Sequence, residues 1–313
     1  MGRIVILVFC ALAAAVDAQV TQPNPVKSQE LSASAREGAV DAEAKLLLPD
    51  AAAPVRGVIA VLGWGAGTWV YDDPAWRQLA NDLHCGLLKL LLFTKDAPED
   101  PLSLPVAEQP NRNAARGGAE ALLKVLNEFA RQSGRPELQN AKLLFWGHSA
   151  AGSFGTTFAA LHPARVIAFA RYNSHSRGLP LDVATVARIP GLIFAGENDT
   201  TAGVEDSEGF WKSGRALQAP WTLAVAAGAD HGSAEGVKKA NDLALPWIRG
   251  VITQRLTTST AALRPIEDAS GWLASRTSVM PAGSFHGPKA EASWLPDEAS
   301  ARGWRVVTGT RAQ

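Results

Sequence analysis

The run Gly147-His148-Ser149-Ala150-Ala151-Gly152 sets a serine among small residues, directly after the apolar stretch Leu143-Leu144-Phe145-Trp146. A helix-length segment rich in small residues follows. A strand that turns sharply into a helix crowds its own backbone, so only small flanking residues fit. The turn lifts the serine hydroxyl above the carboxyl end of a sheet and aims the free N–H groups of a helix start at developing negative charge. A serine hydroxyl needs a base to take its proton, and the chain has six histidines. His231, in Ala227-Gly228-Ala229-Asp230-His231-Gly232, lies just past a predicted strand ending at Val225 and opens the last long helix. Upstream, the apolar run Leu192-Ile193-Phe194-Ala195 leads through Gly196-Glu197-Asn198 to Asp199, an acid able to orient an imidazole. Ser149, Asp199 and His231 therefore occur in the order nucleophile, acid, base, each beyond the carboxyl end of a predicted strand. In a parallel sheet those ends converge on one crevice. The chemistry implied is acyl transfer through a covalent intermediate.

Other side chains compete for these roles. Glu197 is the second choice as acid, being longer and nearer the strand. Asp230 reads as a loop-former, His148 as a residue that packs or hydrogen-bonds locally, and His162, before Pro163, as a helix end. His175, after a strand end, reads as an exposed loop histidine, with lining the pocket as the alternative, and His286 is a weak alternative base. Cys85 precedes the apolar stretch 86–93 and reads as a buried, inert thiol. No cluster has metal-ligand spacing and no glycine-rich phosphate loop is present, so neither a metal nor a cofactor is expected.

These residues need a scaffold, and short apolar runs alternating with helix-length segments supply it. Strands are predicted at 55–62, 86–93, 141–146, 166–170, 192–195 and 221–225. Helices are predicted at 74–83, 114–132, 150–161 and 207–217, and over 234–255 with a break near Pro246. Strands separated by helices imply parallel pairing through right-handed crossovers, and nearly unbroken apolar strands suit a sheet covered on both faces. The reading is one α/β domain over residues 40–256 with a doubly covered, mostly parallel sheet. Residues 19–39 are polar, carry Pro23 and Pro25, and read as an N-terminal arm. Residues 257–313 read as a C-terminal extension packed on the domain, with a helix from Pro296 to about Val307. Trp272, Trp294 and Trp304 give that extension apolar surface to dock with; a separate carbohydrate- or polymer-binding module is the alternative.

Residues 1–18 read as a secretory signal: a basic start at Arg3, an apolar run over 4–16 and the small-residue site Val16-Asp17-Ala18. Thirteen apolar residues fall short of the roughly twenty that a membrane helix needs. The expectation is a secreted or periplasmic protein with no stable membrane span. Only Cys85 then remains, so no internal disulfide is expected. With 30 basic and 30 acidic side chains the chain has no formal net charge, hence no general field to collect nucleic acid or an anionic membrane.

Together the Gly-His-Ser-Ala-Ala-Gly turn, Gly196-Glu197-Asn198-Asp199 and Gly228-Ala229-Asp230-His231-Gly232 resemble the α/β-hydrolase superfamily over roughly residues 40–256. Within it, the compact form is similar to secreted esterases of the dienelactone-hydrolase or polyhydroxyalkanoate-depolymerase-like kind. The resemblance implies a serine hydrolase of carboxylic esters, acting on a small-molecule or polymeric ester without a cofactor. It also implies an oxyanion hole. Leu62-Gly63-Trp64-Gly65 stands where the superfamily often has His-Gly-x-Gly, so Trp64 is the expected N–H donor, Gly65 the runner-up, and Ala150 the second donor. The chain departs at Leu62, in place of the usual His, and at Ala151, in place of the usual Gly. The same constellation also allows amide cleavage, acyl transfer to another acceptor, or an inactive scaffold that only binds.

Overall fold

The computed structural model describes residues 29–50, 53–63, 66–94, 104–257 and 262–310. The expected signal segment, Trp64 and Gly65 lie outside these described residues. Eight strands form the main sheet: β1 (Gln29–Glu37), β2 (Val40–Leu48), β3 (Gly57–Leu62), β4 (Cys85–Thr94), β5 (Leu143–His148), β6 (Val166–Tyr172), β7 (Gly191–Gly196) and β8 (Trp221–Ala226). Their order is β1-β2-β4-β3-β5-β6-β7-β8. The strands from β3 to β8 pair in parallel, while β1 with β2, and β2 with β4, are antiparallel.

Helices α1 (Ala66–Asp72), α2 (Pro74–Asp82), α3 (Ala119–Ser133), α4 (Phe154–Leu161), α5 (Val183–Val186), α6 (Val204–Ala216) and α7 (Ala234–Arg255) cover both faces. Alternate residues of each central strand feed opposite cores. Ile59, Val61, Leu144 and Trp146 pack with Trp76 of α2 and with Leu243, Trp247 and Val251 of α7. Val58, Ala60, Leu143 and Phe145 pack with Leu122, Val125 and Phe129 of α3 and Phe158 of α4. Full burial of such a side chain is worth about 1.5–3 kcal/mol, well above the sub-kilocalorie spread of helix propensities among these residues. Packing therefore decides where the helices sit.

Three expectations are corrected. The arm over residues 19–39 is not an arm from Gln29 onward: β1 lies at the sheet edge, paired with β2 from Gln29↔Leu48 to Glu37↔Val40. Leu31, Ala33 and Ala35 alternate with polar residues and pack on the core. Because two of the three are alanines, this period-two signal is faint in the sequence. β2 also lies outside the predicted strands: it alternates apolar and charged residues over Val40–Lys45, but the apolar half is again mostly alanine, Ala42 and Ala44. Third, α7 runs unbroken through Pro246. Proline cannot donate to the Asp242 carbonyl four residues back, and Gly303 of α8 (Glu298–Thr308) is seated against that carbonyl.

The extension forms β9 (Trp272–Ala274), β10 (Val279–Pro281) and β11 (Ser293–Leu295), an antiparallel sheet in the order β10-β9-β11, followed by α8. Trp294 and Trp304 are buried in the core that α7 shares, and Trp272 is half-buried. The extension also satisfies the outer edge of β8. Leu223 N–H donates to Ser293 Oγ at 2.9 Å, and the Leu223 carbonyl accepts from Ser293 Oγ at 3.0 Å and from Trp304 Nε1 at 2.7 Å. A sheet edge that would otherwise invite intermolecular pairing is thereby closed.

Candidate active site

β5 delivers Ser149. The strand ends at His148, a 3₁₀ turn spans Ser149–Ser153, and α4 begins at Phe154. Ser149 has φ of 53°, a left-handed conformation that a non-glycine residue holds only when its surroundings impose it. A Cβ on Gly147 would lie 2.3 Å from the Ala151 carbonyl oxygen, so the turn tolerates no side chain there. The departure at Ala151 has a local answer. Gly63, at φ 97°, lies opposite, and a Cβ there would come within 2.6 Å of the Ala151 methyl. The methyl occupies space that Gly63 leaves open.

β7 and β8 deliver the other two groups, on the turn after Gly196 and on the loop between Ala226 and α7. His231 Nε2 lies 2.9 Å from Ser149 Oγ, and its Nδ1 lies 2.9 Å from both carboxylate oxygens of Asp199. The Asp199 side chain is sealed, 1% exposed, while that of His231 is 27% exposed and open to water. The Thr201 and Ala202 N–H groups donate to Asp199 Oδ1 at 2.8 and 3.0 Å, fixing the carboxylate's orientation. An acid aimed at Nδ1 leaves Nε2 free to accept the serine proton.

The competing residues have other occupations. Glu197 accepts from Gly228 N–H at 2.8 Å, and Asp230 accepts from Ser233 N–H at 2.8 Å, each shaping the loop that carries His231. His286 is exposed on the extension. Cys85 is buried among apolar residues, and desolvation pushes its thiol up to about 12. His175 Nε2 lies 3.1 Å from Arg112 Nη1, which joins the 173–181 segment to the loop before α3; burial, then the Arg112 charge, holds the imidazole below the usual histidine range. His148 donates from Nε2 to the His231 carbonyl at 2.8 Å, and burial depresses its pKa too.

Ala150, half-buried, follows Ser149 at the start of the 3₁₀ turn, where N–H groups point outward. A narrow crevice that reaches the next residue, Ala151, is otherwise lined by Leu62, Gly63, Leu90, Leu92 and Asn111. Trp64, the other expected donor, falls outside the described residues. Among the described residues no group of three or more His, Cys, Asp or Glu side chains is placed to hold a metal ion, and no helix is long and apolar enough to cross a membrane. One residue escaped the sequence reading: Asn173, fully buried after β6, contacts both the His231 and Asp199 loops. Its sole sequence signal is a polar residue ending an apolar strand.

A parallel sheet with an antiparallel edge, helices on both faces and a serine on a tight turn after β5 define the α/β-hydrolase fold, and this chain has it. No protein-family model matches the chain, and no curated protein matches it either. Solved structures do. An acylaminoacyl peptidase from Pyrococcus horikoshii is similar at a TM-score of 0.50 and 14% identity, over 72% of this chain and 42% of that one. An S-formylglutathione hydrolase from Agrobacterium tumefaciens matches at 0.49 and 15%, over 74% and 99% of the two chains. A dienelactone hydrolase from Anabaena variabilis matches at 0.48 and 22%, over 76% and 99%. At such identities the likeness is one of fold.

Proposed function

We propose that the protein is a serine hydrolase that cleaves carboxylic esters through Ser149, His231 and Asp199. The observation that carries this reading is the relay from Ser149 Oγ to His231 Nε2 to the Asp199 carboxylate, at 2.9 Å on each side of the imidazole. His231 takes the Ser149 proton as Oγ attacks the ester carbonyl. The oxyanion is held by the N–H groups of Ala150 and Trp64, each such donor being worth about 3–4 kcal/mol in the transition state. His231 then protonates the leaving alcohol, giving an acyl-enzyme, and activates water to release the acid. Asp199 holds the tautomer throughout. The apolar run over 4–16 supports export, and with it a reaction in a secreted or periplasmic setting.

Paired substrates test this. Wild type should release nitrophenolate from p-nitrophenyl acetate well above background and act far more slowly on p-nitroacetanilide, with Ser149→Ala reduced to background on both. Equal rates from wild type and Ser149→Ala would overturn the reading, and faster anilide cleavage would replace the ester with an amide.

A further inference from the structure

Acid and base both sit on loops, yet such a site works only when its groups stay within about 0.5 Å of productive geometry. We propose that Asn173 and His148 are positioning residues that set the register of the three loops carrying Ser149, Asp199 and His231. This rests on the serine-hydrolase reading above.

Asn173 is fully buried at φ 48°, a left-handed conformation that asparagine tolerates better than most residues. Its backbone N–H donates to the Phe194 carbonyl at 2.8 Å, fixing it against β7. Its side-chain amide is used at both ends. Oδ1 accepts from Gly196 N–H at 2.7 Å, where the acid loop begins. Nδ2 donates to the carbonyls of Asp230 at 2.8 Å and His231 at 2.7 Å. One amide thus spans the acid and base loops, with both of its donor protons committed.

The His231 carbonyl accepts a second bond, 2.8 Å from His148 Nε2, the residue beside the nucleophile. The His148 ring lies 5.1 Å from that of Tyr172 and 5.0 Å from that of His231, centroid to centroid. With Nε2 donating, His148 is the neutral Nε2–H tautomer, and its burial suits that form. The base is therefore gripped through its own carbonyl by two side chains, one from the nucleophile's strand and one from β6. Neither side chain is bonded to the reacting side chains of Ser149 and Asp199: Asn173 acts through the acid and base loops, and His148 through the His231 backbone.

The test is the second-order rate of fluorophosphonate labelling, with kcat and KM for ester hydrolysis, in folded Asn173→Gly, His148→Phe and His148→Gln. Glycine keeps the left-handed backbone and removes the amide. Phenylalanine keeps the ring contacts and removes the donor, whereas glutamine can restore one. Expected is a loss of roughly 10²-fold in labelling rate and kcat for Asn173→Gly, the scale of a 1 Å misplacement, with KM little changed. His148→Phe should lose rate and His148→Gln recover most of the loss. Wild-type labelling rates in both Asn173→Gly and His148→Phe, or equal losses in His148→Phe and His148→Gln, would overturn the assignment. Should Asn173→Gly not fold, the His148 pair decides alone. An unlabelled wild type would instead remove the nucleophile reading on which the assignment stands.

Discussion

Asp199 illustrates how little freedom the site residues have. Its Oδ1 is already oriented by two backbone N–H groups, from Thr201 and Ala202, so an asparagine there would keep its carbonyl oxygen toward them. The amide Nδ2 would then face His231 Nδ1 and force the proton onto Nε2, the tautomer that cannot accept from Ser149. Asp199→Asn is expected to fold normally and to lose about 10⁴-fold in kcat, measured on a p-nitrophenyl ester. A loss under tenfold would show that the carboxylate is dispensable. At this scale the sequence was informative wherever a residue's chemistry and its position after a strand coincided, as for Ser149, Asp199 and His231. It was silent on Asn173, whose contacts reach 23 residues forward to Gly196 and 58 to His231. Nothing local in Tyr172-Asn173-Ser174 marks such reach.

Among the elements, the close approach of α8 to α7 requires a glycine at 303. A Cβ on Gly303 would lie 2.4 Å from the Asp242 carbonyl oxygen and 3.1 Å from Leu243 Cα. Both are backbone atoms that cannot turn aside. Gly303→Ala should therefore destabilise the fold by about 1–3 kcal/mol through overpacking, although alanine is the better helix former by up to about 1 kcal/mol. Denaturant unfolding would measure it, and a stabilised variant would mean that α8 docks more loosely than described. The central strands were legible because sheets covered on both faces demand nearly unbroken apolar runs, such as Val166–Ala170, which is buried throughout. β1 and β2 were not, since the apolar half of their alternation is mostly alanine, Ala33 and Ala35 in one and Ala42 and Ala44 in the other. β9, β10 and β11 were missed for another reason. Each is three residues long, too short for any periodicity to register.

For the whole molecule, two half-buried histidines tie stability to pH. His148 and His175 both have pKa values lowered by burial, with Arg112 adding to the effect on His175. In the unfolded chain they return to about 6.5, so acid favours the state that binds the proton more readily. Their contribution is fully present above about pH 6.5 and is lost as pH falls through the lower folded values. The melting temperature should drop as pH falls below about 6.5, and His175→Gln should flatten that slope. A melting temperature that holds or rises over this window would contradict the burial of both rings. The central claim is that the fold brings Ser149, His231 and Asp199 together to make Ser149 a nucleophile. Its most direct measurement is fluorophosphonate labelling of the purified protein followed by peptide mapping. An adduct on Ser149, absent in a folded His231→Ala variant, is the expected result. A folded wild-type protein that carries no adduct, or carries it on another residue, would contradict the claim.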